Sequence, residues 1–372
     1  MASTPKKHSS RAATLADVGR EAGVSAMAAS SVLNRTKNSS RISQETKERI
    51  LRAARKLNYR PNGAARALQN RRMNTIGVSV VLDHNELNPY FLEVFNGIVE
   101  AADRLEQNTT VFTLNSWEND LDKLIGFCDG RIDGMIMVGP LVTPSFDRIV
   151  PHHTPFVSLH SNSILKNVIN IESNEGTGSY DMVKHLISLG HKRILFVSGP
   201  ESLTGIQRRL QGYENALQES GIEVREELIT YTDLNIRGGK KAIVEWLQKN
   251  EGSPLPNAII CANDAIAIGC METLAQFGFR VPKDVSICGF DDSIAARTTV
   301  PQLSTIRQPL REMGSQSVDI LLQCINGLEE QNIIREVAKK SSLCFETELI
   351  HRASVSKPRK DEIIIPPLDC LI

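Results

Sequence analysis

From Thr75 to about Gly289, short β-rich runs alternate with amphipathic helical stretches, and few folds accommodate that order. Strand, helix, strand in succession sets neighbouring strands parallel, and a parallel sheet must bury both faces under helices. The strands predicted are Thr75–Leu82, Thr110–Leu114, Gly134–Val138, Pro155–Leu159, Arg193–Ser198, Ile229–Thr232, Ala258–Ala262 and Val285–Gly289. Helices are predicted over Pro89–Glu106, Asn174–Leu189, Ile206–Ser220, Ile236–Lys249 and Asp264–Phe277. So many strands predict two sheets, and 372 residues suit two or three domains.

The first 74 residues have another texture. Thr14 can cap a helix over Leu15–Ala22, with Leu15, Val18 and Ala22 on one face. Gly23 ends it, because glycine tolerates the left-handed turn. Ser25 caps a second short helix, Ala26–Leu33, and Ser43 a third, Gln44–Leu57. Pro61 breaks the chain, and Asn62 can cap a fourth through Leu68. Two short helices joined by a turn containing glycine form a helix-turn-helix. With Leu15, Val18, Ala22, Val24, Ala29, Val32 and Leu33 inward, the second helix presents Ala26, Met27, Ser30, Ser31 and Asn34 outward. The zero net charge hides an asymmetry: residues 1–72 hold sixteen Lys and Arg against four acids, a net +12, balanced by −12 on the other 300. A compact basic segment on an acidic body is the footprint of a nucleic-acid binder.

Several classes are excluded on the same grounds. No apolar stretch approaches the roughly 20 residues of a membrane helix. The basic N-terminus has no apolar run behind it, so a secretory signal is not expected and the chain should stay in the cytoplasm. Seven cysteines are scattered without a C-x-x-C pair, which predicts reduced thiols and neither disulfides nor metal. His152, His153, His185 and His191 show no metal spacing. Gly176-Thr177-Gly178 lacks the third glycine of a dinucleotide turn, and G-K-[ST] and G-x-S-x-G are missing. No enzymatic activity and no cofactor are expected.

The segments TLADVGREAGVS, SVLN and RISQETKERILRAARKLNYRPNGAARAL resemble the headpiece and hinge of the lactose-repressor (LacI) family, in order and spacing. NPYFLEVFNGIVEAA, RIDGMIMVGP, HLISLGHKRILFVSGP, NAIICANDAIAIG, VPKDVSICGFDD and LSTIRQPLREMG resemble its sensor. The resemblance implies an α-helical helix-turn-helix headpiece plus an α/β, two-lobed, periplasmic-binding-protein-like sensor built on two parallel sheets. The chain would cross between lobes three times, with a small effector in the cleft.

By the same resemblance, Thr14, Leu15, Ser25, Ser30 and Asn34 contact phosphates of double-stranded operator DNA, and Ala26 and Met27 face base edges. Both are apolar, suited to thymine methyls but unable to make bidentate hydrogen bonds. Where the family has T-V-S-R, this chain has Ala28-Ala29-Ser30-Ser31, and Ser31 replaces an arginine that reads guanine. The usual half-site is therefore not expected, and specificity leans on the hinge and on DNA shape. The hinge, 60–68, is too short to be helical alone. The resemblance implies that it folds in the minor groove when two copies meet, with Leu68 wedged between base steps and Ala65 permitting close approach. Tyr59 and Asn62 complete the set facing DNA.

In the sensor, the resemblance places Phe91 and Tyr90 to stack on the effector, Arg209 to offer a fork of donors, and Asn263 and Asp291 to grip hydroxyls. His160 stands where many relatives have Asp, and Leu234 about where they place a stacking aromatic. A carbohydrate fits this set; a purine or another corepressor is the alternative. A solute-binding protein would fit the lobes but not the helix-turn-helix. The expected organisation is a disordered basic tail (1–13), the DNA-binding domain (14–60), hinge and linker (61–74), the sensor (75–355) and a loose tail (356–372). The N-lobe would take about 75–171 and 305–335, the C-lobe about 172–303 and 338–355. A homodimer is expected, since paired heads read a near-palindrome, with its contacts in the sensor lobes.

Overall fold

The computed structural model describes residues 12–34, 37–60, 72–82, 88–142, 146, 150–151, 153–163, 165, 168–327 and 342–367. The predicted fourth helix, with Asn62, Ala65 and Leu68, and the predicted disordered tail up to residue 11 lie outside them. The chain divides into two compact units, 1–73 and 74–372.

The first unit contains α1 (Leu15–Ala22), α2 (Ala26–Leu33) and α3 (Gln44–Lys56). Local chemistry sets the boundaries. Thr14 Oγ1 accepts from Asp17 N while the Asp17 carboxylate accepts from Thr14 N, a reciprocal cap. Gly23 has φ 65°, which only glycine adopts without strain. Ser25 Oγ accepts from Ala28 N at 3.1 Å and starts α2. A side chain at Gly19 would meet the Val24 carbonyl, so glycine there lets the turn close tightly. Val18, Ala22, Ala29, Val32, Ile50, Ala53 and Ala54 form the core.

The second unit is two α/β lobes. The first sheet contains β1 (Thr75–Val81), β2 (Asn108–Leu114), β3 (Gly134–Val138), β4 (Phe156–Leu159), β5 (Ile169–Ser173) and β11 (Ser342–Phe345). Their order is β11-β5-β4-β3-β1-β2, all parallel. The second contains β6 (Ile194–Ser198), β7 (Ile229–Tyr231), β8 (Ala258–Cys261), β9 (Ser286–Asp291), β10 (Ser304–Arg307) and β12 (Glu348–Ile350). Its order is β12-β10-β9-β8-β6-β7, parallel except for β12. The described helices are α4 (Pro89–Arg104), α5 (Leu121–Gly126), α6 (Glu175–Leu189), α7 (Thr204–Glu219), α8 (Ile236–Lys249), α9 (Asp264–Gln276) and α10 (Leu310–Gly327).

The chain passes between lobes three times, near 174, at 308–309 and at 346–347. This shifts the expected division. The strand at 304–307 belongs to the second lobe, beside β9, and that at 342–345 to the first, beside β5. Each is four residues long and carries no readable alternation, so pairing partners rather than pattern assign it.

Three helix pairs cross at glycines. A methyl group built on Gly97 of α4 would run into the Arg311 carbonyl of α10, and one on Gly314 into the Val94 carbonyl. Gly212 meets the Gly176 carbonyl in α7/α6, and Gly239 the Ile266 carbonyl in α8/α9. Each crossing brings backbones closer than any side chain would permit.

The expected loose tail is instead a strap across the second lobe, as far as Ile365. Leu255 N donates to Ile363 O at 2.8 Å, Gly252 N to Ile365 O at 2.9 Å, and Ile365 N to Ser253 O at 2.9 Å. Ile365 is 1% exposed, Ile363 packs on the same core, and Ile364 points outward, a strand-like alternation of one turnless segment. The charged run 357–362 masks that alternation in the sequence.

Candidate functional site

A cavity of about 210 Å³ lies between the lobes of the second unit. Ends of elements face it, as parallel sheets dictate: Asn88 caps α4, Asn263 caps α9, Glu175 opens α6, and Asp291 ends β9. All seven residues expected from the sequence, Tyr90, Phe91, His160, Arg209, Leu234, Asn263 and Asp291, border it. Some of their chemistry is already committed. Asn263 Oδ1 accepts from Ile266 N at 2.9 Å, and its Nδ2 donates to Leu234 O at 3.1 Å, leaving one N–H and one lone pair. Arg209 donates through Nη2 to Glu175 Oε1 at 2.9 Å and through Nη1 to Ala262 O, with its guanidinium 4.0 Å over the Phe290 ring. Its Nε is buried and has no partner among the described residues.

A directed hydrogen-bond chain runs along the lobe junction. Gln308 Nε2 donates to Asp291 Oδ1 at 2.6 Å, and Ser173 Oγ donates to Gln308 Oε1. Ser173 Oγ is then free to accept from His160 Nε2 at 3.3 Å, which makes Nδ1 the acceptor for Tyr90 Oη at 2.6 Å. Burial holds the His160 imidazole below its ordinary pKa, keeping it neutral, and holds the Tyr90 phenol well above its own. The chain passes through two of the three crossings, at Ser173 and Gln308.

Burial pushes the Asp291 carboxyl up to about 6, against the downward pull of Arg209 and Gln308. Its folded pKa exceeds the ordinary 3.8, so its contribution to stability falls as pH rises through that window and is flat above it. Ligand binding through the carboxylate has the opposite slope. Effector affinity, measured by calorimetry between pH 5 and 7, is expected to rise with a midpoint near 6, and Asp291→Asn to flatten the profile. A flat wild-type profile would remove Asp291 from the ligand contacts.

The sequence reading missed three residues that line or anchor the site, and the buried neighbour of one of its members. Trp117 borders the cavity, 5% exposed, with no hydrogen bond to its indole N–H among the described residues. Glu175 anchors Arg209, and Gln308 anchors Asp291. Asp292, fully buried, receives Arg307 Nε at 2.8 Å, Arg297 Nη2 at 3.1 Å and Arg352 Nη2 at 2.5 Å. Asp291 and Asp292 have φ of 117° and 55°, a strained pair held by these partners. Rarity marks Trp117, one of two tryptophans; only the fold reveals the others.

In the head, Ala26 and Met27 are exposed, Ser30 and Ser31 are half-buried on α2, and Asn34, half-buried, caps its C-terminus. The Thr14 hydroxyl is consumed by its cap on α1, donating to Asp17 Oδ2 at 2.7 Å. Leu15 and Tyr59 pack partly against the core, and Ser30 Oγ accepts from Asn34 Nδ2 at 3.0 Å.

A capped helix-turn-helix ahead of a two-lobed sensor with a polar interlobe cavity defines a ligand-responsive DNA-binding regulator. Residues 14–62 match the model of bacterial regulatory proteins, lacI family, and 183–355 that of a periplasmic binding protein-like domain. The chain is 33% identical to the ribose operon repressor of Haemophilus influenzae over 86% of its own length and 93% of the relative's. It is 31% identical to the transcriptional repressor PurR of the same species, covering 92% and 98%. A lac repressor dimer bound to operator and the anti-inducer ONPF superposes with a TM-score of 0.79 at 26% identity, covering 93% and 100%. The chain belongs to the lacI family of bacterial regulatory proteins. It is a DNA-binding transcription repressor with an effector-binding domain, and not an enzyme.

Proposed function

We propose that the effector is a small carbohydrate, and that the protein acts as a cytoplasmic homodimer on a near-palindromic operator. One observation carries the ligand class: the cavity sets two carboxylates, Asp291 and Glu175, beside the Arg209 guanidinium and three aromatic residues, Tyr90, Phe91 and Trp117. A hydroxyl both donates and accepts, so a polyol satisfies carboxylates and guanidinium together. An anionic ligand would meet the two acids. The relative named for the ribose operon supports this reading; those named PurR, with the aromatic walls, favour a purine as the second.

Dimer formation is supported by apolar side chains exposed on both lobes. Leu92 and Val99 lie on α4, Val111 on the edge strand β2, and Ile294 and Val300 between β9 and β10, the last two 66% and 96% exposed. Paired heads would set Thr14, Leu15, Ser25, Ser30 and Asn34 near phosphates and Ala26 and Met27 near bases. Two hinges, with Asn62, Ala65 and Leu68, would meet in the minor groove.

Selection of duplexes from random oligonucleotides, repeated with monosaccharides, disaccharides and purine bases, tests this. A two-fold-symmetric consensus whose occupancy shifts with a sugar is expected. A shift with a purine alone would establish the second reading. No preferred duplex at low salt, with or without these molecules, would overturn the account.

A further inference from the structure

We propose that the reading head recognises the C5-methyl group of a pyrimidine through Met27, so that 5-methylcytosine substitutes for thymine in its operator. The proposal rests on the placement of the head on duplex DNA argued above.

α2 carries no long polar side chain. Its sequence is AMAASSVL, and the side chains outside the core are Ala26, Met27, Ala28, Ser30 and Ser31. None carries the guanidinium, ammonium, amide or carboxylate that makes a bidentate contact with a base edge. Asn34 follows the helix, but its Nδ2 donates to Ser30 and its Oδ1 is enclosed without a partner among the described residues. The amide is engaged within the head.

What α2 does present is Met27, 79% exposed, the most exposed of the large apolar side chains described in the head. It covers nothing in the three-helix core, which closes on Val18, Ala29, Val32 and Ile50. It stands at the second position of the recognition helix, where helix-turn-helix heads meet base edges. The major groove offers one apolar feature, the thymine methyl. Cytosine methylated at C5 carries that group at the same place, and cytosine and uracil lack it. Thymine and cytosine differ otherwise in a carbonyl against an amino group. Among the described side chains of α2, the polar groups on this face are serine hydroxyls, which donate or accept alike. Met27 therefore reads the methyl, and little on α2 reads the rest.

The test uses the full-length protein and the duplex found by selection, with affinity from fluorescence anisotropy. Replacing dT by dU, one position at a time, should reveal a site in each half where affinity falls about four-fold, the worth of one buried methyl. The loss should reach about fifteen-fold with both halves changed. At that position dC should bind at least as weakly as dU, and 5-methyl-dC should recover the methyl-dependent part. Met27→Ala should bring the dT:dU ratio close to one, with an unaltered circular dichroism spectrum. Insensitivity to dU at every position, or a dT:dU ratio that survives Met27→Ala, would overturn this proposal alone. Failure to find any preferred duplex would overturn the assignment to DNA, and this proposal with it.

Discussion

Arg209→Ala is expected to lower the stability of the sensor by about 3 kcal/mol and to abolish its response to effector. Among the described residues, the side chain is the nearest cation to a deeply buried acid. Glu175, 2% exposed, accepts from Arg209 at 2.9 Å, and its next cation, Arg208, lies 3.7 Å away. Removing the guanidinium leaves a carboxylate desolvated and nearly uncompensated, which costs more than the intact pair contributes. The same truncation strips the cavity of its strongest donor and uncovers the Phe290 ring. Chemical denaturation and ligand calorimetry separate the two effects. Arg209→Ala with Glu175→Gln should regain most of the stability, because the orphaned charge is gone, yet still fail to bind. A single variant with normal stability and normal ligand response would contradict both roles.

Gly97→Ala is the second large loss expected, about 3 kcal/mol in denaturant unfolding. The added methyl meets a backbone carbonyl of α10, which cannot swing aside as a side-chain tip would, so α4 and α10 must separate along their whole contact. Gly126 is the control. It ends α5 with open space around its Cα, and Gly126→Ala should be neutral or slightly stabilising. Equal effects at the two positions would show that helix propensity, not the crossing, governs Gly97.

The parts of the fold legible in the sequence are those fixed locally. α1 and α2 fall within the predicted bounds because Thr14, Gly23 and Ser25 act on neighbours three residues away. β3 was equally plain, five apolar or small residues buried on both faces. α10 was not read, because Gly314 and Ser317 lie on its buried face and interrupt the apolar stripe. β5 was obscured by Asn170 and Glu172; buried Asn170 instead accepts from Ser158 Oγ at 3.1 Å and Ser161 N at 3.0 Å. The cavity followed the same rule. Residues named for their own chemistry, such as Arg209 and Asp291, do border it. Glu175 and Gln308, which hold those two in place, are ordinary residues until the fold brings them 34 and 17 positions along the chain to their partners. Their importance lies in contacts of long sequence separation, which no local pattern encodes.

The braiding of the chain sets an order for manufacture. The head is closed by residue 59, whereas each sheet draws an outer strand from 342–350, and the second lobe takes its last core side chain from Ile365. A growing polypeptide thus exposes a finished reading head while both lobes still lack a strand. The first lobe is complete about twenty residues before the second, and a product broken off after the head but before 342 would leave both sheets short of an outer strand.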